Sequence, residues 1–140
     1  MNLALVFLRI KNEHPGLPHI QAQTLRVGGS VDSTFNCFND RKIFVTSFLC
    51  CPLIGLPVKW VVLASAAHHD LNIMAFFRFF KYLFQTIGVP SGLCLDFHEG
   101  QVNGLFLAAD FYNISRDEIR GRVRFCWFHL KNSLASKLII

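Results

Sequence analysis

The sequence has little charge, and acidic residues are its scarcest charged type. Of 140 residues, 9 are Asp or Glu and 14 are Lys or Arg, giving a formal net charge of +5. Charged residues make up 16% of the chain, where about 25% is usual. Because 52% of the residues are hydrophobic, the composition excludes intrinsic disorder, and it also excludes a long Glu- and Lys-rich coiled coil. The length predicts one domain, residues 1–140.

The sequence also lacks the short motifs of the common enzyme families. It contains no Gly-x-Gly-x-x-Gly, P-loop, Gly-x-Ser-x-Gly or His-Glu-x-x-His. The adjacent residues His68-His69 do not have the one-turn spacing with which helical histidines share a metal ion. Cys94, Asp96 and His98 alternate along one predicted strand, which places them too far apart for a thiol–imidazole pair. We therefore predict a non-enzymatic protein with no catalytic residue, no metal, no cofactor and no small-molecule substrate.

The cysteines and the N-terminus predict an intracellular protein that is not secreted. The five cysteines are odd in number and irregularly spaced, and no Cys-x-x-Cys occurs, so we expect neither a disulfide framework nor a zinc site. This usage indicates a reducing compartment. The apolar stretch Leu3–Leu8 is interrupted by Arg9 and follows no basic residue, unlike a secretory signal peptide.

The apolar run 43–67, in which Lys59 is the one charge, has two interpretations. Its β-branched and aromatic residues favour two buried paired strands, 43–51 and 58–64. The turn between them would use Pro52, Gly55 and Pro57. The same run is hydrophobic enough for a membrane span, although two prolines and a lysine disfavour a helix there. The alternative is therefore a mainly α protein with one transmembrane segment near 43–65.

Residues 70–88 predict an amphipathic helix with a broad aromatic face. Asp70 is a suitable N-cap, Gly88 stands where a helix commonly ends, and Pro90 follows. One interpretation is a core helix of a small domain. The other is a helix in a membrane interface or in the groove of a partner, and the residues that would then contact lipid or partner are Phe76, Phe77, Arg78, Phe80, Lys81 and Phe84.

The rest of the chain predicts an α+β fold with paired strands and one or two amphipathic helices. Residues 11–42 are expected to form a loosely ordered polar arm, and residues 43–140 a hydrophobic body. Strict alternation predicts a strand over 93–98, and the apolar run 105–112 favours a second strand. Ser115 begins a capping box, and the segment 116–131 fits a helix or a strand equally well.

Three functions remain open at this point. The first is a small membrane-associated or assembly protein, whose partner is an anionic membrane surface or a hydrophobic protein. The second is a translated reading frame with no selected function, since high Phe content and few acids are what an untuned composition gives. The third is a basic α+β nucleic-acid-binding module, with contacts through the arginines of 116–124. We favour the first.

Overall fold

The described part of the chain folds into one small α+β domain, in which three strands precede the first of the elements that join helices to strands. The computed structural model describes residues 22, 25–34, 43–50, 61–96, 98–127, 131–132 and 134–135. Its elements are β1 (Gly29–Thr34), β2 (Phe44–Cys50), β3 (Val61–His68), α1 (Ile73–Thr86), β4 (Leu93–Leu95), α2 (Glu99–Phe111), α3 (Arg116–Arg122) and β5 (Val123–Phe125). The predicted fold class, α+β with paired strands and amphipathic helices, is confirmed.

The strands form one mixed sheet in the order β3-β2-β1-β4-β5. The strands β1, β2 and β3 are antiparallel neighbours, whereas β4 pairs parallel to β1 and β5 pairs parallel to β4. The carboxyl ends of β1, β3, β4 and β5 therefore lie along the same edge of the sheet. Leu93 and Leu95 are fully buried in the core, and Cys94 between them faces the opposite side, because side chains alternate along a strand.

The apolar run 43–67 contributes a pair of strands. β2 and β3 are antiparallel, and Thr46, Phe48 and Cys50 alternate into the core. Because 44–50 and 61–68 are paired strands, residues 43–65 do not form one helix, and the transmembrane alternative is wrong. The predicted turn at 52–57 and Lys59 lie outside the described residues. Within the part of the chain that the structure describes, no helix has the length and apolarity needed to cross a bilayer.

The expected polar arm contributes the central strand of the sheet. β1 lies at 29–34 and pairs on one side with β2 and on the other with β4. Val31 is buried against Phe48, its partner in the β1–β2 register. This part of 11–42 therefore belongs to the folded domain. Its sequence is mostly polar, and the neighbouring strands β2 and β4 contribute most of the buried apolar residues around it. Residues 11–21, 23–24 and 35–42 of the expected arm lie outside the described residues.

Helix α1 forms where its spacing predicts, and it supplies the largest aromatic share of the core. It begins after Asn72, whose side-chain oxygen accepts a hydrogen bond from the Ala75 amide at 2.9 Å; the predicted N-cap, Asp70, is therefore wrong by two residues. Its end is followed by Gly88 at φ +105°, the left-handed conformation that glycine favours. The helix buries Phe76, Phe79, Phe80, Leu83 and Phe84.

The strand predicted over 105–112 is wrong, because residues 105–111 belong to helix α2 and Tyr112 caps it. The buried residues Gly104, Leu105, Ala108 and Ala109 recur at helical spacing, and Gly104 lies against α1. Small residues at these positions let the two helices approach closely. The helical spacing of these buried residues is hard to recognise in the sequence, because the exposed residues between them, such as Leu107 and Phe111, are also apolar.

The segment after Ser115 contains both of the structures that its sequence allowed. The Ser115 hydroxyl accepts a hydrogen bond from the Glu118 amide at 3.1 Å, which confirms the predicted capping. Helix α3 then ends at Arg122, and β5 follows directly at 123–125. Ile119 is the fully buried residue of α3 and anchors it to the core.

Candidate partner-binding surface

The six residues predicted to contact lipid or a partner divide between the core and the surface. Phe76, Phe80 and Phe84 are buried in the core, so in this fold they stabilise the domain and are not open to a ligand. The other three lie on the outer side of α1: Phe77 and Lys81 are partly buried, and Arg78 is exposed. Contact through these three residues stays a prediction.

The outer side of α1 and α2 also exposes apolar side chains that were not predicted. Phe111 is 53% exposed and Met74 is 49% exposed. We define the α1/α2 outer surface by its seven residues, which are Met74, Phe77, Arg78, Lys81, Tyr82, Leu107 and Phe111. Sequence analysis missed Leu107 and Phe111 because it assigned them to a strand, and a helical pattern over 99–111 is the signal that could have found them.

Direct contacts between the helices hold this surface together. The rings of Phe77 and Phe111 pack edge to face with centroids 6.2 Å apart. The Tyr112 hydroxyl donates a hydrogen bond to the Lys81 carbonyl oxygen at 3.0 Å. Gly104 permits the close approach, since a Cβ there would lie 2.6 Å from the Phe76 Cβ. The surface is therefore part of the packed domain and has a defined shape.

The charge of the α1/α2 outer surface is positive. Helix α1 contains no acidic residue and presents Arg78 and Lys81. The Lys81 ammonium lies 4.3 Å from the centroid of the Phe111 ring, within the range of a cation–π contact. The nearby carboxylate of Asp110 binds Arg116 at 2.7 Å, and this hydrogen bond lowers the pKa of Asp110. The negative charge of Asp110, beside Phe111, is thus compensated by Arg116.

The arginines of 116–124 are engaged within the domain. Arg116, Arg120 and Arg122 pair with Asp110, Asp117 and Glu118 at 2.7–2.8 Å. Arg122 also donates to the carbonyl oxygens of Val89 and Pro90. These pairs reduce the positive charge offered to a phosphate backbone, and the nucleic-acid alternative stays a prediction.

The polar residues near the carboxyl edge of the sheet have structural partners. His68 Nε2 lies 2.8 Å from the Thr46 hydroxyl oxygen, which in turn hydrogen-bonds to Ser33. Burial lowers the pKa of His68, against an opposing effect of Asp70. His98 caps α2, where its Nδ1 accepts a hydrogen bond from the Gln101 amide at 3.3 Å. Among the residues with described positions, no three His, Cys, Asp or Glu side chains gather as metal ligands would.

Comparison of the sequence with known proteins identifies no relative of this chain. The sequence matches no model of a known protein family, and a search of curated proteins also finds no match.

Proposed function

We propose that this protein is a non-enzymatic intracellular domain that binds peripherally to anionic membrane surfaces through the α1/α2 outer surface. One observation carries the proposal: exposed apolar side chains and two cations lie on the outer side of the two packed helices, and the neighbouring Asp110 is paired with Arg116. The absence of a catalytic motif from the sequence supports a binding role. The attachment is interfacial, so it requires no spanning helix.

The chemistry of this surface fits the headgroup region of an anionic bilayer. Met74 and Phe111 can enter the boundary between headgroups and acyl chains, as the apolar face of an interfacial helix does. Tyr82 combines an apolar ring with a polar tip, which suits the same region. The long side chains of Arg78 and Lys81 can lie along the apolar surface while their charges reach the headgroups. Charge complementarity therefore selects an anionic lipid surface as the occupant.

Vesicle flotation of the full chain tests the proposal. We expect wild type to float with vesicles of phosphatidylcholine and phosphatidylserine, and to float much less with phosphatidylcholine alone. Each basic residue near an anionic surface contributes about 1 kcal/mol. The double variant Arg78→Glu/Lys81→Glu should therefore partition at least ~30-fold more weakly, and salt should weaken wild-type binding because exposed charges are screened.

The matched control is Arg124→Glu/Lys131→Glu, which changes two exposed cations that belong to neither α1 nor α2. Both double variants lower the formal net charge from +5 to +1, because each exchanges two cations for two anions. The control should retain far more binding than the test variant. An equal loss of vesicle binding in both variants would mean that binding depends only on net charge. This result would overturn the assignment of lipid binding to the α1/α2 outer surface. No flotation of folded wild type with anionic vesicles would overturn the membrane proposal and favour a hydrophobic protein as the partner.

A further inference from the structure

A hydrogen-bonded network of side chains joins three strands of the sheet to helix α1. The hydroxyl oxygens of Ser33 on β1 and Thr46 on β2 are 2.8 Å apart, and the Thr46 oxygen lies 2.8 Å from Nε2 of His68 on β3. The His68 ring packs edge-on against the Phe76 ring of α1, with centroids 5.9 Å apart. Phe76 in turn contacts the ring of His98, which caps α2. His68 therefore lies at the junction between the sheet and the two helices of the α1/α2 outer surface.

The surroundings of His68 favour the neutral imidazole. The residue is 9% exposed, and its buried Nδ1 has no hydrogen-bond partner among the described residues. The neutral ring can carry its proton on Nε2, where the Thr46 oxygen accepts it. A protonated ring would add a positive charge and a second N–H at Nδ1, where no acceptor is provided, and this is costly in a buried position. Protonation therefore opposes the packing of His68 against Phe76.

The charged and titratable groups around His68 do not remove this cost. The strands β1 and β2 present neutral hydroxyl groups to the network, and α1 presents the Phe76 ring. The other histidine of the cluster, His98, lies beyond Phe76 and uses its Nδ1 to cap α2. The carboxylate of Asp70 favours the proton on His68, but burial has the larger effect and lowers the pKa of the ring. An opened chain therefore binds this proton more readily than the folded domain does.

We propose that His68 is an acid-sensitive switch, whose protonation opens the junction of β3 with α1 and makes the buried aromatic face of α1 available to lipid. The inference rests on the proposed membrane binding of the α1/α2 outer surface. At neutral pH the core holds Phe76, Phe80 and Phe84, so attachment depends on the outer side of α1 and on anionic headgroups. In acid the opened form offers these phenylalanines, whose insertion between acyl chains needs no anionic lipid.

The ordinary pKa of histidine limits the size of the effect. A ring in the opened chain titrates near 6.5, so opening becomes easier as the pH falls below about 6.5 and is unaffected well above it. Between pH 7.5 and pH 5.0 the opening equilibrium rises by as much as ~30-fold, the limit in which the opened form alone binds the proton.

Hydrogen–deuterium exchange of the full chain without lipid tests the switch. Exchange is followed by mass spectrometry at pH 7.5 and pH 5.0 and corrected for the intrinsic effect of pH. We expect the opening constant of wild type to rise about 10–30-fold at pH 5.0 in peptides that cover residues 63–80. His68→Gln should show no such rise, because glutamine does not bind the proton. The matched control His69→Gln changes an exposed neighbour and should keep the wild-type rise.

Two further measurements complete the test. Nuclear magnetic resonance of wild type, which needs no variant, should show the His68 ring titrating below the ordinary value of 6.5. Flotation with vesicles of phosphatidylcholine alone should increase at pH 5.0 for wild type and His69→Gln, but not for His68→Gln.

Three outcomes would overturn the switch. They are an equal rise of exchange in wild type and His68→Gln, a His68 ring that titrates at or above 6.5, and opening in acid without flotation on phosphatidylcholine. The first two measurements contain no lipid. Failure of the proposed function would therefore appear separately, as absent flotation of wild type with anionic vesicles at pH 7.5.

Discussion

At Gly104 the helices α1 and α2 come so close that no side chain fits between them. A Cβ at this position would lie 2.6 Å from the Phe76 Cβ, 2.8 Å from the Phe77 amide nitrogen and 2.9 Å from the Ile73 carbonyl oxygen. Two of these three atoms belong to the backbone of α1, so the helix itself would have to move. The spacing of the α1/α2 outer surface therefore depends on this one glycine.

Gly104→Ala should destabilise the protein by about 1–3 kcal/mol, because overpacking outweighs the better helix propensity of alanine. Gly121→Ala in α3 is the matched control, since nothing lies within 4 Å of its Cβ position. The control should stabilise by about 0.5–1 kcal/mol. Urea unfolding measures both free energies, and stabilisation by both substitutions would contradict the close contact.

His68 makes the stability depend on pH. Its folded pKa lies below the ordinary value of 6.5 because the ring is buried. The unfolded chain therefore binds the additional proton first, and the contribution of His68 to stability is complete above about pH 6.5 and declines as the pH falls below it.

We expect wild type to lose more unfolding free energy than His68→Gln between about pH 7.5 and pH 5.5. His68→Gln is less stable at neutral pH because the bond to Thr46 changes, but its pH dependence is flatter. The control His69→Gln alters an exposed neighbour and should keep the wild-type dependence. If urea unfolding shows the same change of unfolding free energy with pH in all three proteins, the buried neutral imidazole of His68 is not the cause of the pH dependence.

At the scale of elements, helix α1 has a buried face and an exposed face, and its sequence alone does not show which aromatic residues lie on each. The aromatic residues of α1 are chemically alike, yet Phe80 is fully buried and Tyr82 is 43% exposed. The position of each depends on where the sheet and α2 lie, which is information from distant parts of the chain.

Phe80→Ala should destabilise the protein by about 3–5 kcal/mol, the cost of a large cavity. Tyr82→Ala, on the outer side of the same helix, should cost less than about 1 kcal/mol. Thermal and urea unfolding provide the comparison. A similar cost at both positions would contradict the assignment of one face to the core and the other to the surface.

Local sequence predicted the elements whose signals are local. The periodicity and Gly88 indicated α1, and the capping box at Ser115 indicated α3. The start of α1 was misplaced because Asp70 and Asn72 are both good caps, and the choice between them depends on the turn after β3. Helix α2 was missed because its small residues acquire meaning only against α1. Phe77, Arg78 and Lys81 could be proposed because the sequence indicated the helix that presents them, whereas Phe111 was missed together with α2.

At the scale of the whole molecule, one buried core joins the sheet to the helices. It contains Leu93 and Leu95 of β4, Phe80 of α1 and Leu105 of α2. The exposed side chains of the α1/α2 outer surface belong to the same two helices, so their arrangement depends on the folded domain as a whole.

Hydroxyl-radical footprinting on anionic vesicles of saturated lipid tests the membrane-binding surface most directly. The protein carries its own reference, because Met74 and Tyr82 lie on the α1/α2 outer surface, whereas Trp127 is 70% exposed elsewhere. We expect vesicles to slow the oxidation of Met74 and Tyr82 several-fold relative to free protein, because contact with lipid excludes the radical. The oxidation of Trp127 should stay unchanged. Protection of Trp127 with no protection of Met74 and Tyr82 would contradict binding through the α1/α2 outer surface and place the lipid contact on another surface.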